Sequence, residues 1–157
     1  MIIREYNAAS DFDGLRNCVI ELQNYEYDLD SRFPDGQSIV DAYIPDILRR
    51  CEEYRGTILV ADVDQQVAGY SMVFTRVTSE DIEDGDFECG YLADLVVLPG
   101  YRQQGIGAEL LSASEDYARE RGVTWFRIGV MAANTKARDL YIASGYSPFS
   151  MKLEKRL

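Results

Sequence analysis

Histidine is absent from this 157-residue chain. That gap removes the imidazole on which Ser-His-Asp and Cys-His catalysis depend, and with it most zinc sites. Acid–base chemistry near neutral pH must then fall to a carboxylate, a phenol, a thiol, an amine or a relayed water. Cysteine is scarce: Cys18, Cys51 and Cys89 are odd in number, far apart and form no C-x-x-C pair. They read as reduced thiols of a cytoplasmic protein. No apolar run of about 18 residues occurs, and Met1-Ile2-Ile3-Arg4-Glu5 lacks an apolar leader core, so neither membrane nor secretion is expected. Positive charge is short as well. Only 16 Lys and Arg face 27 Asp and Glu, a net charge of −11, with acid concentrated in residues 21–35 and 80–88. Nucleic acid is a poor partner for such a surface, because phosphate binding needs clustered cations. A cationic small molecule would be steered in, although acidity also serves plain solubility.

What is present is a single domain over residues 1–157, with no repeat, linker or low-complexity segment. Ile2–Tyr6 reads as an edge strand. Ser10 reads as the N-cap of a helix that carries Leu15, Val19 and Leu22 on one face and ends near Tyr27. Ser38 and Asp41 can cap a second helix towards Tyr54, with a kink or break expected at Pro45. Thr57–Asp62 and Val67–Val77 read as a hairpin, and residues 78–87 as an acidic loop. Further on come a helix stopped by Gly122, a strand at Trp125–Met131, a helix Asn134–Ser144 stopped by Gly145, and one or two last strands from Tyr146.

The most informative stretch is residues 91–107, YLADLVVLPGYRQQGIG. A β-branched strand meets a Pro-Gly stop and a basic, Gly-rich turn, and Ala108-Glu109-Leu110-Leu111 then opens a helix. A helix N-terminus offers unpartnered N–H groups and the positive end of the dipole, which together cradle an anion. Gly100 and Gly105 have the spacing of a nucleotide P-loop. Ile106-Gly107, however, replace its lysine and hydroxyl, and Leu110 replaces the third glycine of a dinucleotide fingerprint. Arg-x-x-Gly-x-Gly remains, at Arg102, Gly105 and Gly107.

This motif, with Asn134, Tyr141 seven residues on, and Gly145-Tyr146, resembles the GNAT superfamily of acetyl-CoA-dependent N-acetyltransferases. The likeness runs from near Thr57 to the C-terminus. It implies an α/β (α+β) fold, a mixed and largely antiparallel sheet of six to seven strands flanked by about four helices. It also implies acetyl-CoA as cosubstrate, with no metal. Leu95, Val96 and Val97 would lie along the pantetheine arm. Arg102, Gln103, Gln104, Gly105, Ile106, Gly107 and Ala108 would surround the pyrophosphate. Asn134 would line the far side, and Tyr141 would face the thioester sulfur as general acid. A phenol is still protonated at pH 7, so it can share its proton with a leaving thiolate.

The proton acceptor is where the chain departs from its relatives. Strand alternation puts Tyr91, Ala93 and Leu95 on one face and Asp94 with Val96 on the other. Relatives that use a strand carboxylate carry it on the Ala93 face, which here has none. Asp94 then reads as structural, Glu88 as a weak alternative, and a water relay towards the acidic loops as the expected route. Residues 21–27, ELQNYEY, resemble the first helix of the diamine and spermidine N-acetyltransferase branch, where the pair matching Tyr25 and Glu26 contacts the polyamine. That branch carries a glutamate where this chain has Ala93. The expected activity is acetyl transfer to a primary amine, on a small polyamine- or amino-acid-like cation, by direct attack in a ternary complex. Alternatives are a non-catalytic acyl-CoA sensor, or an enzyme acting on a protein N-terminus or lysine. A homodimer fits the family, although no sequence feature demands one.

Overall fold

The computed structural model describes residues 1–78, 83 and 85–157; half of the acidic loop expected at 78–87 therefore lies outside the described residues. A five-stranded sheet in the order β1-β2-β3-β4-β5 organises them. Strands β1 (Ile2–Glu5), β2 (Thr57–Val63), β3 (Gln66–Thr78) and β4 (Glu88–Val97) pair antiparallel, and β5 (Phe126–Ile128) joins β4 in parallel. Helices α1 (Ala8–Leu29) and α2 (Gly36–Glu53) cover one face, packing Leu15, Val19, Val40, Ile44 and Ile47 onto Tyr70, Met72 and Phe74. Each such buried aliphatic side chain contributes roughly 2 kcal/mol by leaving water. Helix α3 (Ile106–Glu120) covers the other face through Leu110 and Leu111, and α4 (Thr135–Ala143) adds Tyr141 to that layer. No helix among the described residues is long and apolar enough to cross a membrane.

Local chemistry moves two helix starts from where the sequence suggested. Asn7, still extended at φ −120°, accepts the Ala9 N–H at 3.0 Å and caps α1, while Ser10 lies in its first turn. Asp35 accepts from Ser38 N–H and caps α2, so the helix begins at Gly36. Of the kink or break expected at Pro45, the break does not occur. Helix α2 runs through Pro45, and the carbonyl left without its partner is that of Asp41, on the exposed side where water can satisfy it.

The last strands also differ. Strand β5 is three residues long instead of seven, and residues 146–157 form no strand, so five strands stand among the described residues where six or seven were expected. Phe149, Met151 and Leu153 alternate as a strand would, yet they are 74%, 81% and 88% exposed. Alternation alone supplies no ladder partner, and a lone strand is not stable in water.

Strand β4 carries an extra residue. Met72 pairs with Asp94 and Val73 with Leu92, leaving Ala93 as a bulge. Below it Tyr91 faces the α1–α2 layer and Leu92 the α3 layer; above it Asp94 and Val96 face α1–α2, and Leu95 faces α3. Strict alternation therefore fails at this point. Asp94 shares a face with Tyr91, and Leu95 leaves it.

An ion cluster fixes the start of the fold. Arg4 donates to both oxygens of Asp11, at 2.6 and 2.9 Å, and to Asp62 at 2.8 Å, tying β1 to α1 and β2. Asp11 is 3% exposed and also accepts Asn7 N–H. The Arg4 guanidinium holds its carboxyl down at about 2. Because that value is depressed on folding, the stabilisation is present above the ordinary carboxylate range, near 3.8, and disappears as pH falls through about 2. Arg4→Ala leaves a buried, partly unsatisfied carboxylate and is expected to cost about 1–3 kcal/mol in urea denaturation at pH 7. The difference from the unsubstituted chain should shrink as pH falls from about 4 towards about 2.

Candidate active site

The bulge sets up an open edge. Strand β5 pairs with β4 only at Gly90, Tyr91 and Leu92, whereas β4 continues to Val97. Beyond Leu92 the two strands part, and the backbone of Leu95–Val97 on the β5 side becomes one wall of a cleft of about 470 Å³. The opposite wall comes from Asn134, Lys136, Ala137, Leu140 and Tyr141 of α4 and its cap, and Leu22 and Tyr25 of α1 reach in as well. A second hollow of about 610 Å³ shares no residue with this cleft. It is walled by Arg55, Arg76, Glu88 and Arg121, among others, of which Arg76 and Glu88 neutralise each other.

The floor of the cleft is the glycine turn. After the short 3₁₀ turn Pro99–Tyr101, Gln103 and Gly105 adopt left-handed backbone, at φ 61° and 83°, and Gly105 caps α3 with no side chain over the helix end. The first N–H groups of a 15-residue helix therefore point into the cleft, with the dipole behind them. Gly107 is different: a Cβ there would meet Leu140 at 3.6 Å, ordinary contact, so the fold itself does not require glycine. Arg102 is pinned through Nε–H to Val97 O at 2.9 Å and through Nη2 to Glu21 at 2.7 Å. Of the residues assigned to the cofactor, all line the cleft except Gln104, whose amide turns back to Gly100 O. A long, narrow ligand with anionic groups at one end fits this combination of open β edge and bare helix terminus.

Helix α4 forms the opposite wall of the cleft, and it starts and stops where its sequence suggested. Asn134 caps it by accepting Ala137 N–H at 3.1 Å, and Tyr25 Oη donates to the same oxygen at 3.4 Å, linking α1 to α4 across the cleft. Gly145, at φ 92°, follows its C-cap. Tyr141 is 8% exposed and lies edge-on to Tyr146 at 6.1 Å. Burial pushes its phenol up to about 12, reinforced by the negative charge of Asp94, so it is protonated throughout the neutral range.

The sequence reading of Asp94 as remote from the Tyr91 face is corrected by the bulge. Its carboxylate is 8% exposed and accepts from Tyr43 Oη at 3.0 and 3.1 Å and from Tyr70 Oη at 2.8 Å. Burial raises it above the ordinary carboxylate range. Glu26, half-buried on α1, is raised as well, first by burial and then by the Asp94 charge. Glu26 does not line the cleft as Tyr25 does; it stands beside the Asp94 cluster instead. Cys89 is buried and raised, hence a poor nucleophile. Tyr43, Tyr70, Tyr101, Lys136 and Leu140 were not singled out from sequence. Only Lys136 carries a local signal, a cation in the first turn of a helix where the dipole disfavours one.

Known proteins give this geometry a context. The chain is 32% identical over 97 residues to the uncharacterized N-acetyltransferase YhfO of Bacillus subtilis, covering 62% of each. It is 42% identical over 55 residues to the thialysine N-epsilon-acetyltransferase of Sus scrofa, covering 35% of this chain and 32% of that one. These matches span less than two-thirds of either relative. Among solved structures, a single-substitution mutant of the BH1408 protein from Bacillus halodurans superposes with a TM-score of 0.80 over 100% of this chain and 99% of that one, at 20% identity. The aminoglycoside N-acetyltransferase AAC(6')-Iy in complex with CoA superposes at 0.67 over 99% and 98%, at 18% identity. Both establish the fold. The family model described as Acetyltransferase (GNAT) family matches residues 21–146, and the chain belongs to that family.

Proposed function

We propose that the protein transfers an acetyl group from acetyl-CoA to a primary amine of a small cationic acceptor, by direct attack within a ternary complex. One observation carries this reading: the cleft joins an open β4 edge, a bare helix N-terminus and a buried phenol in one continuous groove. The N–H groups of α3 and Arg102 hold the anionic end, and Leu95–Val97 present backbone to the amide-bearing arm. Tyr141 stands where the arm ends. The thioester supplies the acetyl group, and Tyr141, protonated at neutral pH, gives its proton to the departing sulfur.

A cationic acceptor is supported by charge and by aromatic lining. Glu26 and Asp94 bring two carboxylates to one region, with Tyr25 and Tyr43 beside them, a composition suited to an alkylammonium through ion pairing and cation–π attraction. The relative named for thialysine acts on an amine of this kind, as does the aminoglycoside enzyme of similar fold. The same reading places the protein in the cytoplasm, where its three buried free thiols stay reduced.

Acetyl-CoA should raise the melting temperature in a thermal-shift titration, and no stabilisation by it would reject the reading. Gly107→Val should abolish that shift while leaving the unliganded melting temperature within a few degrees, since the added side chain fills ligand space and not core. In a thiol-release assay over an amine panel, Tyr141→Phe should lower kcat by about 10²-fold or more with the acetyl-CoA shift retained. A binding-only sensor would show the shift and release no thiol with any amine.

A further inference from the structure

Asp94 is a carboxylate almost out of water whose hydrogen-bond partners are two phenols; among the described residues no Lys or Arg lies within ion-pair distance of it. The groups facing it come from every surrounding element. Glu26 belongs to α1, Tyr43, Arg50 and Cys51 to α2, Tyr70 to β3, Tyr91 to β4 itself and Tyr141 to α4, while Cys18 of α1 faces Tyr70. Arg50 is the one cation of this set, and its guanidinium stacks over Phe74 at 5.1 Å.

The two phenols are not equivalent. Tyr70 is fully buried in the core, where its hydroxyl can only hold Asp94 in place. Tyr43 is partly buried at the edge of the same core, with its hydroxyl bridging both Asp94 oxygens. Neither Tyr43 nor Asp94 lines the cleft, and Tyr43 is the less enclosed of the two phenols that hold the carboxylate. It lies in the field of Glu26, whose neighbour Tyr25 lines the cleft. A phenol that donates to a carboxylate keeps a lone pair free to accept, which is what a proton relay requires.

We propose that Tyr43 and Asp94 form the proton-accepting relay of this enzyme: the acceptor's ammonium gives a proton to the Tyr43 oxygen as Tyr43 passes its own to Asp94. This rests on the acetyl-transfer reading above. Glu26 draws in the cation, Tyr43 meets it, and Asp94 acts through Tyr43. The balance closes. The ammonium loses one N–H proton to the relay, the N–C bond forms and the C–S bond breaks. The sulfur takes the Tyr141 proton, and the Tyr141 oxygen recovers the surplus proton of the new amide nitrogen. The proton stored on Asp94 leaves through Tyr43 to water after the product departs. Burial raises both carboxylates, which makes a proton easier for them to hold.

The test compares two acceptors on the full chain: an alkyldiamine, ammonium at pH 7, and the corresponding O-alkylhydroxylamine, whose amino group is already neutral. Tyr43→Phe should lower kcat/KM for the diamine by about 10²-fold and for the hydroxylamine by no more than about threefold. For the diamine, the variant's rate should instead climb with pH as free amine accumulates. Asp94→Asn should show the same split if it folds; if it does not, Tyr43→Phe decides alone. Equal losses on both acceptors, or no loss on either, overturn the relay. If the unsubstituted enzyme acetylates neither acceptor nor any other amine of the panel while still binding acetyl-CoA, the transferase reading fails, and the relay with it.

Discussion

The extra residue Ala93 in β4 is the constraint on which the site depends. A bulge lets one strand run out of step with its neighbour, and here it does two things at once. It rotates Asp94 onto the α1–α2 face, where Tyr43 and Tyr70 can reach it. It also comes directly after the last ladder pair with β5, so that the backbone of Leu95–Val97 is left without a strand on that side. In an unbroken ladder Asp94 would face α3, and β5 would have reason to continue alongside β4. Donor cleft and acidic cluster thus share a single origin in the backbone.

The acidic cluster poses an energetic problem that its surroundings answer only in part. A buried carboxylate is costly unless hydrogen-bonded. Two phenols satisfy the oxygens of Asp94, but they do not neutralise it, and Arg50 helps only at a distance. A cationic guest would complete the neutralisation. Binding and activation then pull in opposite directions, because a carboxylate that holds an ammonium also makes it harder to deprotonate. Dividing the work between Glu26 and Asp94 eases this conflict, since the group that attracts the cation need not be the one that takes its proton.

The sequence was most legible where one residue type answers one backbone need. Gly105, Gly122 and Gly145 all occupy left-handed positions at helix ends, and Asn134 caps α4, so helices α3 and α4 and the order of the cleft elements could be read directly. The caps of α1 and α2 were displaced because several polar residues compete at each start. Asn7 and Asp35 win through their extended backbone, which sequence does not display. The face of Asp94 could not be read at all. Period-two reasoning presumes an unbroken ladder, and nothing about an alanine announces that it is the surplus residue. The C-terminal residues show the opposite failure, a strand-like pattern without a neighbour to pair with.

Desolvation acts on both ends of the site, with opposite chemical consequences. Removing water from Tyr141 raises its phenol to about 12 and keeps it protonated through the neutral range. Removing water from Asp94 raises its carboxyl and makes it a better place to leave one. In each case the charged form is disfavoured, so the phenol keeps its proton and the carboxylate takes one up more readily. The negative charge on Asp94 also raises Tyr141, so the two functions are coupled. When Asp94 takes up a proton in the proposed relay, that influence vanishes and the Tyr141 phenol is raised chiefly by burial. In the proposed relay, a chain without histidine separates acid from base by burial and geometry, using a phenol on one helix and a carboxylate turned by one surplus residue.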